Sequence, residues 1–238
     1  MKSTKNKSNP FSLADFQKGL MLAGLLTPIN ENELKEREIL EQYEREQTKQ
    51  KAKIYFQRAV LAAEIVSLLY NEPTFGRIKF QKLVYLCEHV AHMKLQSRYQ
   101  KQAAGPFDGK FMHGIEAEFK KQKWFKVEKK KDGKFTRSVY IPMENCEKYK
   151  QYYSNYFKEN SDSINQIIEL FRKQKTDFTE IAATLFFCYL EIQAKEDVFS
   201  ENKLLEIFYS WSKEKLRFEE KKGFTSVDVD AKKRTCTS

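Results

Sequence analysis

Glycine-rich phosphate loops, paired cysteines and any surplus of histidine are missing from this sequence. Its eight glycines stand singly, so neither GxxxxGKS/T nor GxGxxG occurs, and the backbone cradles of kinases, NTPases and dinucleotide enzymes are excluded. The four cysteines, Cys87, Cys146, Cys188 and Cys236, form no CxxC pair. That excludes a zinc ribbon or a thioredoxin-like motif and argues against a disulfide framework. Only three histidines occur, His89, His92 and His113, and none lies in a recognisable nucleophile motif of the Ser-His-Asp or Cys-His kind. His89 and His92 are three apart on one helix and could share a metal with His113 or Cys87. Neither HExxH nor a structural-zinc spacing is present, however, and no metal is expected. Acidic pairs such as Glu116/Glu118 and Asp177/Glu180 sit among mixed charges, where carboxylates are ordinarily just solvated. The expectation is a protein without catalytic residues or cofactor.

Long apolar runs are also lacking. The longest near the N-terminus, GLMLAGLL at residues 19–26, covers about 12 Å as helix against a hydrocarbon core of about 30 Å. No membrane span is expected. With no secretory signal and no cysteine framework, the expected setting is reduced and cytoplasmic.

What is present is core material and charge. Hydrophobic residues make up 41% of the 238 positions and aromatics 14%, ample for a buried core. Lys and Arg number 43 against 33 Asp and Glu, a net charge of +10. That excess suits an acidic partner, nucleic acid or an acidic protein face; a Lys-rich solvated surface accounts for it equally well.

Along the chain, residues 1–11 are polar and basic and are expected to fray. Ser12 offers a cap for a short helix that Pro28 stops. From Asn30 to Pro73 neither Gly nor Pro interrupts the sequence. Its first part, to about residue 53, is heavily charged, and Ile54 to Tyr70 is thickly apolar, which reads as an exposed lead-in feeding a buried helix. Phe80, Leu83, Val84, Cys87, Val90 and Ala91 then share one helical face. A loop ends at Gly105-Pro106, and a further helix is predicted over 111–122.

There the period changes from helical to alternating. Trp124 to Glu128 and Phe135 to Ile141 flank Asp132-Gly133, the signature of a β-hairpin. Three helical stretches follow, at 144–173, 178–195 and 201–218, with Thr176 or Asp177 and Ser200 as caps. The tail from Glu219 lacks apolar periodicity and is expected to be disordered. The fold class predicted is mainly α, a helical bundle with one inserted β-hairpin at 124–141, winged-helix-like in the order helix, helix, helix, hairpin. The segments are an arm and short helix (1–29), a charged lead-in (30–55), a core (56–218) and a tail (219–238).

The hairpin carries the sharpest local charge imbalance. Lys120, Lys121, Lys123, Lys126, Lys129, Lys130, Lys131, Lys134 and Arg137 are opposed only by Glu128 and Asp132. Ammonium groups on a projecting hairpin can follow the phosphate backbone of double-stranded DNA, with strong salt dependence and little base reading. Lysines that merely keep an exposed hairpin soluble and unpaired give the same pattern.

Gly76-Arg77-Ile78-Lys79-Phe80-Gln81-Lys82-Leu83-Val84-Tyr85-Leu86, followed by Gly105-Pro106-Phe107-Asp108, looks like the KxQKLxY and GP pair of the SocA-like antitoxin module, also called Panacea. Ala103-Ala104 stand where that family carries tryptophan or tyrosine. This resemblance implies a compact helical domain that neutralises toxins by binding or serves as an adaptor. A second resemblance, over FGRIKFQKLVYLCE, AAGPFD with KFMHGIE, QKWF, TDFTEIAATL and FYSWSKEKLRF, is to an accessory or C-terminal region of bacterial type I restriction-modification specificity proteins. It covers roughly residues 56–218 and implies an adaptor or regulatory module whose partner is a restriction-modification subunit. The candidate partner-binding residues are Arg77, Lys79, Lys82, Tyr85, Gly105, Pro106, Phe107 and Asp108, with the Lys82 stem lying over the core, the Tyr85 hydroxyl offered outward and Gly105-Pro106 as a rigid loop. The alternative is that the glycines only terminate helices and Tyr85 is core.

Overall fold

The structure is a computed structural model that describes residues 13–24, 31–133, 135–216 and 218. The expected fraying of residues 1–11, the Ser12 cap and the tail from residue 219 lie outside those residues. The chain divides into two compact units, Met1–Ala52 and Lys53–Ser238.

The first unit holds α1 (Leu13–Leu22) and the start of α2 (Glu31–Leu69). Its large apolar residues Phe16, Leu22, Ile39, Leu40 and Tyr43 are exposed. Between them run charges at helical spacing, such as Arg45 and Glu41, whose side chains meet at 3.2 Å. Helix α2 continues into the second unit, where Ala59, Val60, Leu61, Ala62, Ala63, Ile65, Val66 and Leu69 are all buried. Such all-round burial belongs to a central helix.

The second unit is mainly α with two two-stranded antiparallel sheets. In chain order, α3 (Arg77–Val90) leads to a 3-10 turn at Gln96–Arg98, then β1 (Gln100–Gln102), β2 (Gly105–Phe107) and α4 (Gly109–Gln122). Next come β3 (Phe125–Asp132) and β4 (Phe135–Pro142), followed by α5 (Lys150–Tyr156), α6 (Ser161–Arg172), α7 (Thr176–Ala194), α8 (Glu201–Tyr209) and α9 (Lys213–Leu216).

The long hairpin stands where the alternating pattern put it. Phe125 pairs with Pro142 at its root, Lys129 with Ser138 midway and Asp132 with Phe135 at its end. Gly133 takes the left-handed conformation there, at φ 59, which glycine adopts without strain. The root is locked into the core by aromatics. Tyr140 lies 5.4 Å from Phe75 and 5.2 Å from Phe80, Phe125 is 5.6 Å from Phe119, and Trp124 is 5.9 Å from Tyr149. The tip beyond Glu128 leaves that core and carries Lys129, Lys130 and Lys131 into solvent.

Several expectations are corrected. A second hairpin, β1–β2, occupies what the sequence presents as loop, with Gln100 opposite Phe107 and Gln102 opposite Gly105. Helix α4 starts at Gly109 rather than 111, because the Asp108 side chain accepts from Phe111 N at 3.1 Å and caps it. The stretch 144–173 holds two helices, broken where the Asn160 amide donates to the Phe157 carbonyl and the Ser161 hydroxyl donates to that of Lys158, competing with helix geometry. Neither Thr176 nor Asp177 caps α7; its cap position is Lys175, without a side-chain bond. Ser200 does cap α8, accepting from Lys203 N at 3.2 Å. Residues 201–218 are broken after Tyr209, where the Trp211 indole donates to the Gln102 carbonyl at 2.7 Å.

Candidate functional site

Helix α3 is buried well beyond the apolar face its pattern marks. Besides Phe80, Leu83, Val84 and Cys87, it buries Lys79, Lys82, Tyr85, Leu86 and Glu88, and it packs against α6, α7 and β2. The polar residues of the motif are therefore turned to internal work. Lys79 Nζ donates to Thr74 Oγ1 and to the carbonyls of Arg172 and Gln174, each at 2.8 Å, tying α3 to the end of α6. Lys82 Nζ donates to the Pro106 carbonyl at 2.6 Å. Tyr85 is fully buried, 4.6 Å from the Tyr99 ring, and its hydroxyl donates to Gln96 Oε1 at 3.4 Å.

Gly105 explains why the GP pair belongs beside Lys82. Its φ is 93, and a Cβ there would sit 2.4 Å from Thr184 Oγ1 and 3.5 Å from Lys82 Cε. Only glycine lets β2 lie this close to α3 and α7. Of the eight candidate partner-binding residues, Lys79, Lys82, Tyr85, Gly105, Pro106 and Asp108 are buried; Arg77 and Phe107 are half-buried. The outward Tyr85 hydroxyl is thus corrected, and Tyr85 is core; the Lys82 stem lies within the core and its ammonium ends on the Pro106 carbonyl rather than at the surface.

A buried charge network that the sequence pattern does not flag completes this interior. Arg58 of α2 donates through Nε to Glu88 Oε1 at 2.6 Å and through Nη1 to Asp108 Oδ2 at 2.6 Å. Tyr99 donates to Glu88 Oε2 at 2.5 Å, and the guanidinium lies 4.0 Å from the Phe111 ring centre. Burial works against the Arg58 charge, but Glu88, Tyr99 and Asp108 together hold its pKa above the ordinary arginine value. Burial raises Glu88, and Arg58 opposes the rise. Nearby, Lys215 and Glu180 form a second buried pair at 2.6 Å. One signal was available: Arg58 and Glu88 are lone charges inside dense apolar stretches, and such charges need partners.

The histidines are dispersed. His89 Nε2 lies 3.0 Å from Gln96 Oε1, His113 Nδ1 lies 2.5 Å from the Gly109 carbonyl, and His92 sits in a left-handed turn at φ 54. Among the described residues no three His, Cys, Asp or Glu side chains come together in a group that could hold a metal ion.

The basic hairpin remains at the surface. Lys120, Lys121, Lys123, Lys126, Lys129, Lys130 and Lys131 are exposed, and Arg137 is half-buried. Three of these lysines share their charge with carboxylates: Lys123 with Glu144 at 2.7 Å, Lys126 with Glu128 at 2.6 Å and Lys121 with Glu118 at 3.9 Å. Arg137 braces the hairpin through Nη2, which donates to the Glu72 carbonyl at 3.1 Å. Lys120, Lys129, Lys130 and Lys131 carry no ion pair among the described residues. Lys134 lies outside the described residues. The hairpin is thus a braced, aromatic-rooted arm with a cationic tip.

No family model, curated protein or solved structure matches the chain.

Proposed function

We propose that the chain is a non-catalytic adaptor or regulatory module that contacts the phosphate backbone of duplex DNA through the hairpin β3–β4. The observation that carries this is the cluster Lys129, Lys130 and Lys131, exposed and without ion pairs among the described residues, on an arm rooted by Tyr140 and Phe125. Lysines are point charges that neutralise phosphates without reading base edges, so binding is salt-dependent and weak in sequence preference. The setting, a bacterial restriction-modification or related defence system with a protein subunit as further partner, is supported by sequence resemblance alone. The test is to replace Lys129, Lys130 and Lys131 with Glu and measure duplex binding at low and moderate salt. Weaker binding with a shallower salt slope supports the reading, and an unchanged slope removes the hairpin from it.

The second reading, a free-standing Panacea-like antitoxin that neutralises a toxin by direct binding, draws on the exposed Ile39, Leu40 and Tyr43 of α2. Co-purification from the native host separates the two. Recovery with methylase or endonuclease subunits favours the adaptor, and recovery with one small toxin favours the antitoxin.

A further inference from the structure

Beside the hairpin tip runs a groove of about 660 Å³, between β3–β4 on one side and the loop at Pro73–Gly76 with the start of α3 on the other. Its volume falls within the range of small-molecule sites, about 300–1,000 Å³. Arg77, Lys129 and Arg137 line it together with the hydroxyls of Thr136 and Ser138, and no Asp or Glu is among its lining residues. Pro73, Gly76 and Ile78 form the apolar part of the wall, and every charge that lines the recess is positive, which favours anions. Arg77 is held by Glu116 at 2.7 Å, which fixes the guanidinium while leaving donors over. Arg137 spends Nη2 on the Glu72 carbonyl, but its Nε is shielded from solvent and has no hydrogen-bond partner among the described residues. Arginine forks suit phosphate oxygens, and hydroxyl groups add further donors.

We propose that this groove seats a phosphate group, gripped by Arg77 and Arg137 with Lys129, Thr136 and Ser138 completing the donor set. The seat deepens the reading of the hairpin as a nucleic-acid contact and rests on it for the source of the phosphate. A strand tracking along Lys130 and Lys131 would deliver one of its phosphates, backbone or terminal, into the groove. The seat gives the otherwise non-directional lysine arm one point of fixed geometry.

The experiment titrates the full chain with inorganic phosphate, a 5′-phosphorylated trinucleotide and the same trinucleotide without that phosphate, following backbone amide resonances. Shifts at residues 74–78 and 136–138, saturating with inorganic phosphate, support the seat. Tighter binding of the phosphorylated trinucleotide identifies nucleic acid as the source, whereas equal affinity for inorganic phosphate identifies free phosphate. Thr136→Glu, at an exposed position, places a carboxylate in the groove and should weaken phosphate binding at least tenfold; Arg77→Gln should act in the same direction. The pair Lys130→Glu/Lys131→Glu lies outside the groove lining but faces Arg137 and Thr136 across the hairpin, so it should weaken duplex binding strongly and inorganic-phosphate binding less than Thr136→Glu does. Absence of shifts at the groove, or phosphate binding indifferent to Thr136→Glu and Arg77→Gln in folded variants, overturns the seat. Loss of duplex binding in the lysine pair alone would then leave the hairpin reading standing without it.

Discussion

Lys82 Nζ lies 2.6 Å from the carbonyl oxygen of Pro106, and both residues are buried. A motif that looks like a presented surface is therefore a clamp, in which α3 holds β2 through one ammonium group. Burial pushes Lys82 down to about 7, with Lys215 adding to the drop and Glu180 opposing it. Lys79 is pushed down to about 8, again chiefly by burial.

The sign of the pH effect follows from proton counting. An unfolded lysine titrates near 10.4, so between about pH 7 and 10 the unfolded chain binds a proton at Lys82 that the folded chain does not. Stability therefore rises with pH across that window, and the cost of the buried charge is fully present below it. Lys79 acts in the same sense from about 8 upward. Each pKa unit is worth about 1.4 kcal/mol at most. Urea midpoints at pH 7, 8 and 9 should rise for the wild type and rise less for Lys82→Met. Parallel slopes would show that Lys82 titrates normally in the fold.

Gly105→Ala should destabilise by about 2 kcal/mol or more, since it combines a left-handed backbone with a collision at the Thr184 hydroxyl. Adding Thr184→Ala should recover the steric part and leave the backbone part. Chemical denaturation of both single variants and the pair gives the coupling. Additive losses would place the collision elsewhere.

Arg58→Met should cost about 3–5 kcal/mol by stranding buried carboxylates. Following it with Glu88→Gln should return part of that loss, because one of the two stranded carboxylate charges disappears. A double variant less stable than Arg58→Met would mean that Glu88 is stabilised chiefly by Tyr99.

Much of this architecture was legible because it rests on local periodicity. The switch from helical to alternating spacing at Trp124 placed the long hairpin, and Ser200 marked the start of α8. What escaped depends on contacts distant in sequence. Lys79 is satisfied by carbonyls at Arg172 and Gln174, and Lys82 by that of Pro106; no spacing within α3 announces them. A lysine stem beside an apolar stripe reads the same whether its end reaches water or a buried carbonyl. The hairpin β1–β2 leaves no mark in the sequence because its strands have three residues each, too few for an alternating pattern to show. Of the candidate surface, the lysines of β3 were legible as charge, whereas the groove required Arg77 and Ser138 to be brought together by folding.

The charge-reversed hairpin, Lys129→Glu/Lys130→Glu/Lys131→Glu, should keep the wild-type urea midpoint to within about 0.5 kcal/mol of stability, because these side chains are solvated and distant from the aromatic root. A larger loss would show that the tip contributes to folding.

We propose that the chain works by holding a polyanion on its cationic arm. The most direct measurement is the affinity of the full wild-type chain for duplex DNA across a salt series. Neutralising three to five phosphates predicts a slope of log K against log salt of about −2.7 to −4.5, at roughly 0.9 per phosphate. A slope near zero, or no binding at low salt, would contradict it.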